Sequence, residues 1–298
     1  MRWRGILMLL AASFLWGTTF VAQMAGMDEL GPFSYAAARF FLGFLSLLVI
    51  WQLFRSRRER AREEGRYASG WSAGLATGLI MFVASSLQQV AMLYTTAGKT
   101  AFITCLYIVF VPIFAVFLRQ RIRAENWAGA ILALVGLYLL AVRGDFSLAL
   151  GDGIVLVSSL FWTAHILVID RFASEVDAIE LSASQIGVCM LLSGIVALLF
   201  EEWSWQAIRH ASTAIFYGGV MSAGVAFTLQ ILGQKYAEPA HAAILMSFEA
   251  IFGALASWLL LGELLSNREI LGCVLMVAGM TVTQARHFLH RGQGTVEK

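Results

Sequence analysis

Of the 298 residues, 59% are hydrophobic and only 13% charged, and the mean hydropathy is +0.75. A soluble domain of average composition is about 45–50% apolar and about 25% charged, and it could not hide this much apolar surface in its own core. The near balance of 21 Lys+Arg against 19 Asp+Glu excludes bulk charge as a basis for binding nucleic acid or acidic substrates, and 3 Pro with 27 Gly excludes collagen-like and proline-rich disordered chains.

A bilayer-crossing helix needs about 20 predominantly apolar residues. By that criterion ten spans are predicted in chain order, at residues 5–24, 33–54, 70–93, 98–118, 126–142, 150–170, 180–200, 211–233, 239–261 and 268–285. These runs are unbroken and do not alternate as the strands of an outer-membrane barrel do, so the expected fold is an all-α integral membrane protein. Arg2 and Arg4 before the first run resemble the start of a signal peptide, but no small-residue cleavage site follows and the run reads as the first span.

With both termini placed in the cytoplasm, 16 Lys and Arg fall on the inner side and 4 on the outer side. That asymmetry follows the positive-inside rule and supports the number of spans, because one missed helix would scramble it. Six of the inner arginines lie within residues 55–66, a run read as a topology anchor beside anionic lipid rather than a nucleic-acid patch. Cys105, Cys189 and Cys273 lie inside spans and read as small buried apolar residues.

The two halves of the chain repeat. Ser13-Phe14-Leu15-Trp16 matches Ser159-Leu160-Phe161-Trp162 at an offset of 146, and Arg39 falls on Gln185 at the same offset. Gln88 falls on Gln230, Tyr94 on Tyr236 and Lys99 on His241 at an offset of 142, while Gly129 and Gly136 fall on Gly272 and Gly279 at 143. Five spans per half make the second half enter the bilayer in the opposite sense. Two inverted repeats, residues 1–145 and 146–298, are therefore expected, with a site near the midplane between them.

Several residues carry a family resemblance as well. Leu15-Trp16-Gly17-Thr18-Thr19-Phe20-Val21, Leu30-Gly31-Pro32 through Arg39-Phe40-Phe41-Leu42-Gly43, Ser86-Leu87-Gln88-Gln89-Val90 and Tyr94-Thr95-Thr96-Ala97-Gly98-Lys99 are similar to EamA-type carriers of the drug/metabolite transporter superfamily. So are Ala101-Phe102-Ile103-Thr104 through Val111-Pro112, and Ser247-Phe248-Glu249-Ala250-Ile251-Phe252 leading to Leu260-Leu261-Gly262-Glu263. The resemblance covers residues 5 to 285. It implies ten helices in two inverted repeats and export of metabolites or amino acids across a bacterial inner membrane. Two departures stand out. The family often has proline after the glutamate where this chain has Ala250, so no proline is present to break that helix, and Gln120 stands where the second half has Glu263.

Candidate working residues are the polar and aromatic exceptions inside apolar spans. Glu249 sits about ten residues into its span, near the membrane centre, where an acid is costly unless neutral, paired or facing a cavity. It reads either as a proton-titrating or ammonium-binding group, or as a hydrogen-bonded acid fixing helix packing. Trp16 and Trp162 reach similar mid-depth, either to stack on a substrate or to fill the core between repeats. Tyr107 can offer a hydroxyl to the cavity, and Gln88 and Gln230, with Gln23 and Gln89, can line a polar path or bond to neighbouring helices.

His165, one turn beyond Trp162, is either a packing residue or a proton relay partnering Glu249. Lys99 and His241 begin equivalent helices at opposite mouths, as gates or as wetted interfacial residues. Arg39 is assigned a structural role, paired with Asp28 or Glu29 or snorkelling outward, and Pro112 is expected to kink its span. The glycines at 70, 74 and 78 are read as a packing face.

No nucleotide loop, metal-ligand set or hydrolase motif is found. Gly98-Lys99-Thr100 resembles the end of a phosphate loop, but Leu93 stands where its first glycine belongs. No catalytic residue, cofactor, metal or nucleic-acid partner is expected; the partners are a small-molecule substrate, the lipid bilayer and a second copy in a homo-oligomer. The reading is a secondary transporter exporting amino acids, aromatic ones included, by alternating access. The rivals are an exporter of organic cations or drugs, an exchanger of nucleotide sugars or phosphorylated sugars and, from another class, a membrane-embedded enzyme or a sensor.

Overall fold

The computed structural model describes residues 3–95, 97–119, 122–142, 149–202, 204–261 and 266–293. Arg2, Gln120, Arg121, Arg143, Gly262, Glu263, Lys298 and the division at 145/146 lie outside the described residues, as do the side chains of Arg286, His287, His290 and Arg291.

Apolar residues without strand-like alternation give helices throughout, and no strand occurs among the described residues. The first half contains α1 (Trp3–Met27), α2 (Pro32–Leu53), α3 (Arg55–Glu63), α4 (Trp71–Ala91), α5 (Ala97–Thr104), α6 (Tyr107–Phe117) and α7 (Ala124–Ala141). The second contains α8 (Leu150–Phe172), α9 (Ala178–Phe200), α10 (Trp205–His210) and α11 (Ser212–Phe216). A π-helical segment (Tyr217–Ala226) follows, then α12 (Phe227–Gln234), α13 (Pro239–Met246), α14 (Glu249–Leu261) and α15 (Asn267–Gln293).

Among the described residues eight helical stretches are long and apolar enough to cross a membrane, and α7 is a shorter apolar helix packed along α15. The outward faces carry apolar side chains at helical spacing: Phe41, Leu45 and Val49 on α2, Leu75 and Leu79 on α4, Ile131 and Val135 on α7, and Leu191, Ile195 and Leu198 on α9 are all exposed. Such stripes would drive aggregation in water, and they suit contact with lipid chains.

Three predicted spans are interrupted. The span at 98–118 divides at Cys105-Leu106 into α5 and α6, and the span at 239–261 divides at Ser247-Phe248 into α13 and α14. The span at 211–233 contains the π-helical turns, and π-helical insertions recur at functional positions. The break before Glu249 forms with Ala250 in place of proline: Ser247 Oγ donates to the Ile244 carbonyl (2.8 Å) and Ser13 Oγ of α1 donates to the Leu245 carbonyl (2.8 Å), so groups freed by the break find partners. Pro112, expected to kink its span, lies buried within an uninterrupted α6, and the irregularity sits upstream at Cys105-Leu106.

The arginine run at 55–66 is helical and partly folded against the protein. Arg58 pairs with Asp177 (3.3 Å) and Glu180 (3.1 Å), and Arg62 pairs with Glu180 (2.7 Å), which ties the α3–α4 side to the start of α9. At the opposite end of the α2–α9 pair, Glu201 accepts hydrogen bonds from the Phe33 and Ser34 amides (2.9 and 2.7 Å), a carboxylate on a helix N-terminus. Small residues set the helix contacts: a Cβ at Gly136 would lie 2.5 Å from the Gly272 carbonyl, and one at Gly17 would collide with the Glu249 carbonyl.

Candidate functional site

The interrupted helices meet at a cavity of about 70 Å3, lined mainly by apolar and aromatic side chains with a few polar groups among them. α1 supplies Trp16, Phe20 and Gln23, and α4 supplies Met81, Ser85 and Gln88, each set at i, i+4, i+7 along one face. α8 supplies Trp162 and Ile166, and the π-helical segment with α12 supplies Ser222, Phe227 and Gln230. α2 contributes Arg39, and the residues bordering the two breaks contribute Thr104, Tyr107, Met246 and Glu249.

Most of this wall is paired between the halves. Trp16/Trp162 and Phe20/Ile166 stand 146 residues apart; Ser85/Phe227, Gln88/Gln230, Thr104/Met246 and Tyr107/Glu249 stand 142 apart. The structure thus brings Trp16, Tyr107, Trp162, Glu249, Gln88 and Gln230 around one space. Each of Tyr107 and Glu249 opens the second segment of a broken helix, and the two meet: the Tyr107 hydroxyl donates to Glu249 Oε1 at 3.1 Å.

Cys105 Sγ lies 3.3 Å from the same carboxylate oxygen, so this cysteine belongs to a polar cluster and is not an inert apolar filler. An acid buried in an apolar interior without partners would cost several kcal/mol. Here Glu249 is 6% exposed, and two donors plus the cavity stand in for water.

The tryptophans share a third ring that sequence reasoning missed. Phe227 lies 4.9 Å from Trp16, tilted by 58°, and 6.1 Å from Trp162, stacked within 14°. The repeat offset offered a signal for it, since Phe227 is the counterpart of Ser85 and sits one turn before Gln230. Both tryptophans also pack on the hydrophobic core, while their indole N–H groups have no hydrogen-bond partner among the described residues. The glutamines differ too. Gln88 Nε2 donates to Thr104 Oγ1 (2.8 Å), whereas Gln230, whose neighbour in the paired position is Met246, has a buried Oε1 without a partner among the described residues.

Arg39 departs from its expected placement. It is 7% exposed, lines the cavity and makes no ion pair among the described residues; Glu29 instead lies beside His210 (3.5 Å). Its guanidinium carbon sits 4.7 Å from the Phe40 ring centre and 5.6 Å from that of Tyr35.

The remaining candidates lie off the cavity wall. His165 holds Gln185 (3.1 Å) and stands edge-on to Trp162, and no hydrogen bond or ion pair joins it to Glu249 among the described residues. Lys99 bonds Asp152 (3.2 Å), a carboxylate that also accepts from Thr95 Oγ1 and the Ala149 amide. His241 lies 3.5 Å from Glu238 and bonds the Thr283 carbonyl (3.1 Å). No cluster of His, Cys, Asp and Glu able to hold a metal occurs among the described residues.

A multi-pass helical membrane protein whose halves face one internal cavity with equivalent side chains has the construction of a carrier. Comparison with known proteins narrows that class. The model of the EamA-like transporter family matches residues 3–142 and again 149–284, and the chain belongs to this family of membrane transporters. It is similar to an uncharacterized transporter of Archaeoglobus fulgidus (26% identity over 93% of this chain and 85% of the relative). It is also similar to the uncharacterized transporter YoaV of Bacillus subtilis (24% identity, 91% of this chain and 94% of the relative). One solved crystal structure shares the fold, with a TM-score of 0.79 at 22% identity over 95% of this chain and 99% of that one.

Proposed function

We propose that the protein is a secondary carrier of small metabolites, namely amino acids with aromatic ones included, exporting them across a bacterial inner membrane by alternating access. Ten spans in two inverted repeats, residues 1–145 and 146–298, with both termini cytoplasmic, are part of this reading. The observation that carries it is the pairwise lining of a single cavity by Trp16 and Trp162, Gln88 and Gln230, and Tyr107 and Glu249. A site contacted equally by both halves can be exposed to either side when one half rocks against the other.

In this mechanism the side chain of the cargo lies among Trp16, Trp162 and Phe227, and the ammonium group meets Glu249. Lys99 and His241 mark the opposite gates, and the Lys99–Asp152 pair at one mouth would open and re-form with each cycle. No hydrogen bond joins His165 to Glu249 among the described residues, and in this reading His165 acts by orienting Trp162. The sequence has no nucleotide loop, so a solute or ion gradient supplies the driving force. Arg39 in the same wall argues against an exporter of organic cations, because like charges would face each other.

The test is flux into liposomes holding the purified protein, with labelled phenylalanine, tryptophan, alanine and tetraphenylphosphonium. Saturable movement of aromatic amino acids above empty liposomes is expected. Movement of tetraphenylphosphonium with none of the amino acids would overturn the substrate assignment.

A further inference from the structure

We infer that the cavity binds its cargo as an oriented zwitterion, with the carboxylate at Arg39 and the ammonium group at Glu249. This deepens the transport reading and rests on it for the cargo's passage, but not for its binding.

An arginine keeps its charge in any protein environment, and a buried guanidinium without an anion is costly. Among the described residues two partly buried cations have acids beside them, Arg58 with Asp177 and Glu180 and Lys99 with Asp152, while the partly buried Lys235 bonds the Tyr67 hydroxyl. Arg39 is more buried than these, yet among the described residues it faces aromatic rings and the cavity, with Nε unpartnered. A planar fork of N–H donors at a cavity wall matches a carboxylate, the group it can hold through two parallel hydrogen bonds.

The repeat sharpens this. The cavity is paired in shape between the halves, but its two charges are not paired. The counterpart of Arg39 is Gln185, which is bonded to His165 and does not line the cavity. The counterpart of Glu249 is Tyr107, neutral and donating to Glu249 itself. One cation from the first half and one acid from the second therefore give the cavity a polarity that its shape lacks. A monocarboxylate would leave Glu249 without a cation, and an amine would set its charge against Arg39. A zwitterion satisfies both, in one orientation.

Three ligands that share an indole ring separate these cases: L-tryptophan carries both groups, indole-3-propionate only the carboxylate, tryptamine only the amine. Ligand-induced thermal stabilisation of the purified protein is the binding readout, and liposome flux is the transport readout. Wild type is expected to be stabilised most by tryptophan. Arg39→Gln should weaken tryptophan and indole-3-propionate about tenfold or more while tryptamine changes by less than about twofold; Glu249→Gln should weaken tryptophan and tryptamine and spare indole-3-propionate. Arg39→Lys, which keeps the charge without the fork, should fall between.

Equal weakening of all three ligands by Arg39→Gln would overturn the proposal, because that is the signature of a packing role. Should that variant not fold, the wild-type series decides: tryptamine stabilising as well as tryptophan overturns it. Zwitterion-selective binding without flux would instead defeat the transport reading while leaving the oriented site in place.

Discussion

The two broken helices occupy equivalent positions and reach the same interruption by different means. α5–α6 breaks at Cys105-Leu106 with Pro112 downstream, whereas α13–α14 breaks at Ser247-Phe248 with no proline after Glu249. The second break is supported from outside. The Ser13 hydroxyl of α1 is shared between the Leu9 carbonyl of its own helix (2.7 Å) and the Leu245 carbonyl (2.8 Å), and Gly17 lets α1 lie directly against the first turn of α14. The counterparts on α8 do neither: Ser159 bonds Leu156 within its own helix, and Thr163 stands where α1 has glycine, bonding Ser159. Neither break thus has a proline at it, and the acid sits in the break that a neighbouring helix contacts directly.

The largest expected effect comes from removing that support. Gly17→Thr places side-chain atoms into the α14 backbone and should cost about 1–3 kcal/mol or more, read as a lowered thermal midpoint and lost flux. Thr163→Gly, the mirror change, should move the midpoint far less. Equal effects would show that α1 and α8 hold their breaks alike.

Next in size is the comparison at the segment starts. Glu249→Gln removes a charged acceptor at the cavity and should lower amino-acid flux about tenfold to a hundredfold, whereas Tyr107→Phe removes one neutral donor and should lower it about twofold to tenfold. The reverse ranking in initial rates would assign the working role to the tyrosine. Trp16→Ala and Trp162→Ala should each reduce flux of tryptophan several-fold more than flux of alanine, since a ring contact is worth about 0.5–1.5 kcal/mol. Equal loss for both cargoes would place the rings in the core alone.

Much of this was open to reading from residues, and the remainder has a physical reason for being hidden. The repeat offset of 142 already pairs Gln88 with Gln230, and the same offset pairs Tyr107 with Glu249, so the cavity wall was implicit in the numbering. Helix rotation was not. Hydropathy reports what avoids water, and lipid and protein interior are equally apolar, so seven residues of depth could not tell whether Arg39 turned outward to snorkel or inward to the cavity. Cys105 looked like any small buried residue because its partner is 144 positions away. The break before Glu249 was hidden because the residues that contact it, Ser13 and Gly17, lie on another helix. Phe227 was masked by a counterpart, Ser85, of a different chemical type.

The smallest predicted effect isolates the outside support at a single hydrogen bond. Ser13→Ala deletes the donor to the Leu245 carbonyl without adding bulk, and interhelical hydrogen bonds in membrane proteins average about 0.6 kcal/mol. The thermal midpoint should therefore fall by only a degree or two. Ser159→Ala deletes a bond within one helix and no contact between helices, and should be close to silent. The informative readout is the ratio of cargo selectivity to stability: if α1 holds the acid-bearing segment in place, Ser13→Ala alters the preference for tryptophan over tryptamine more than its small stability loss accounts for. An unchanged preference would mean that the break at Ser247-Phe248 keeps its geometry without α1, and that Gly17 alone sets where Glu249 stands.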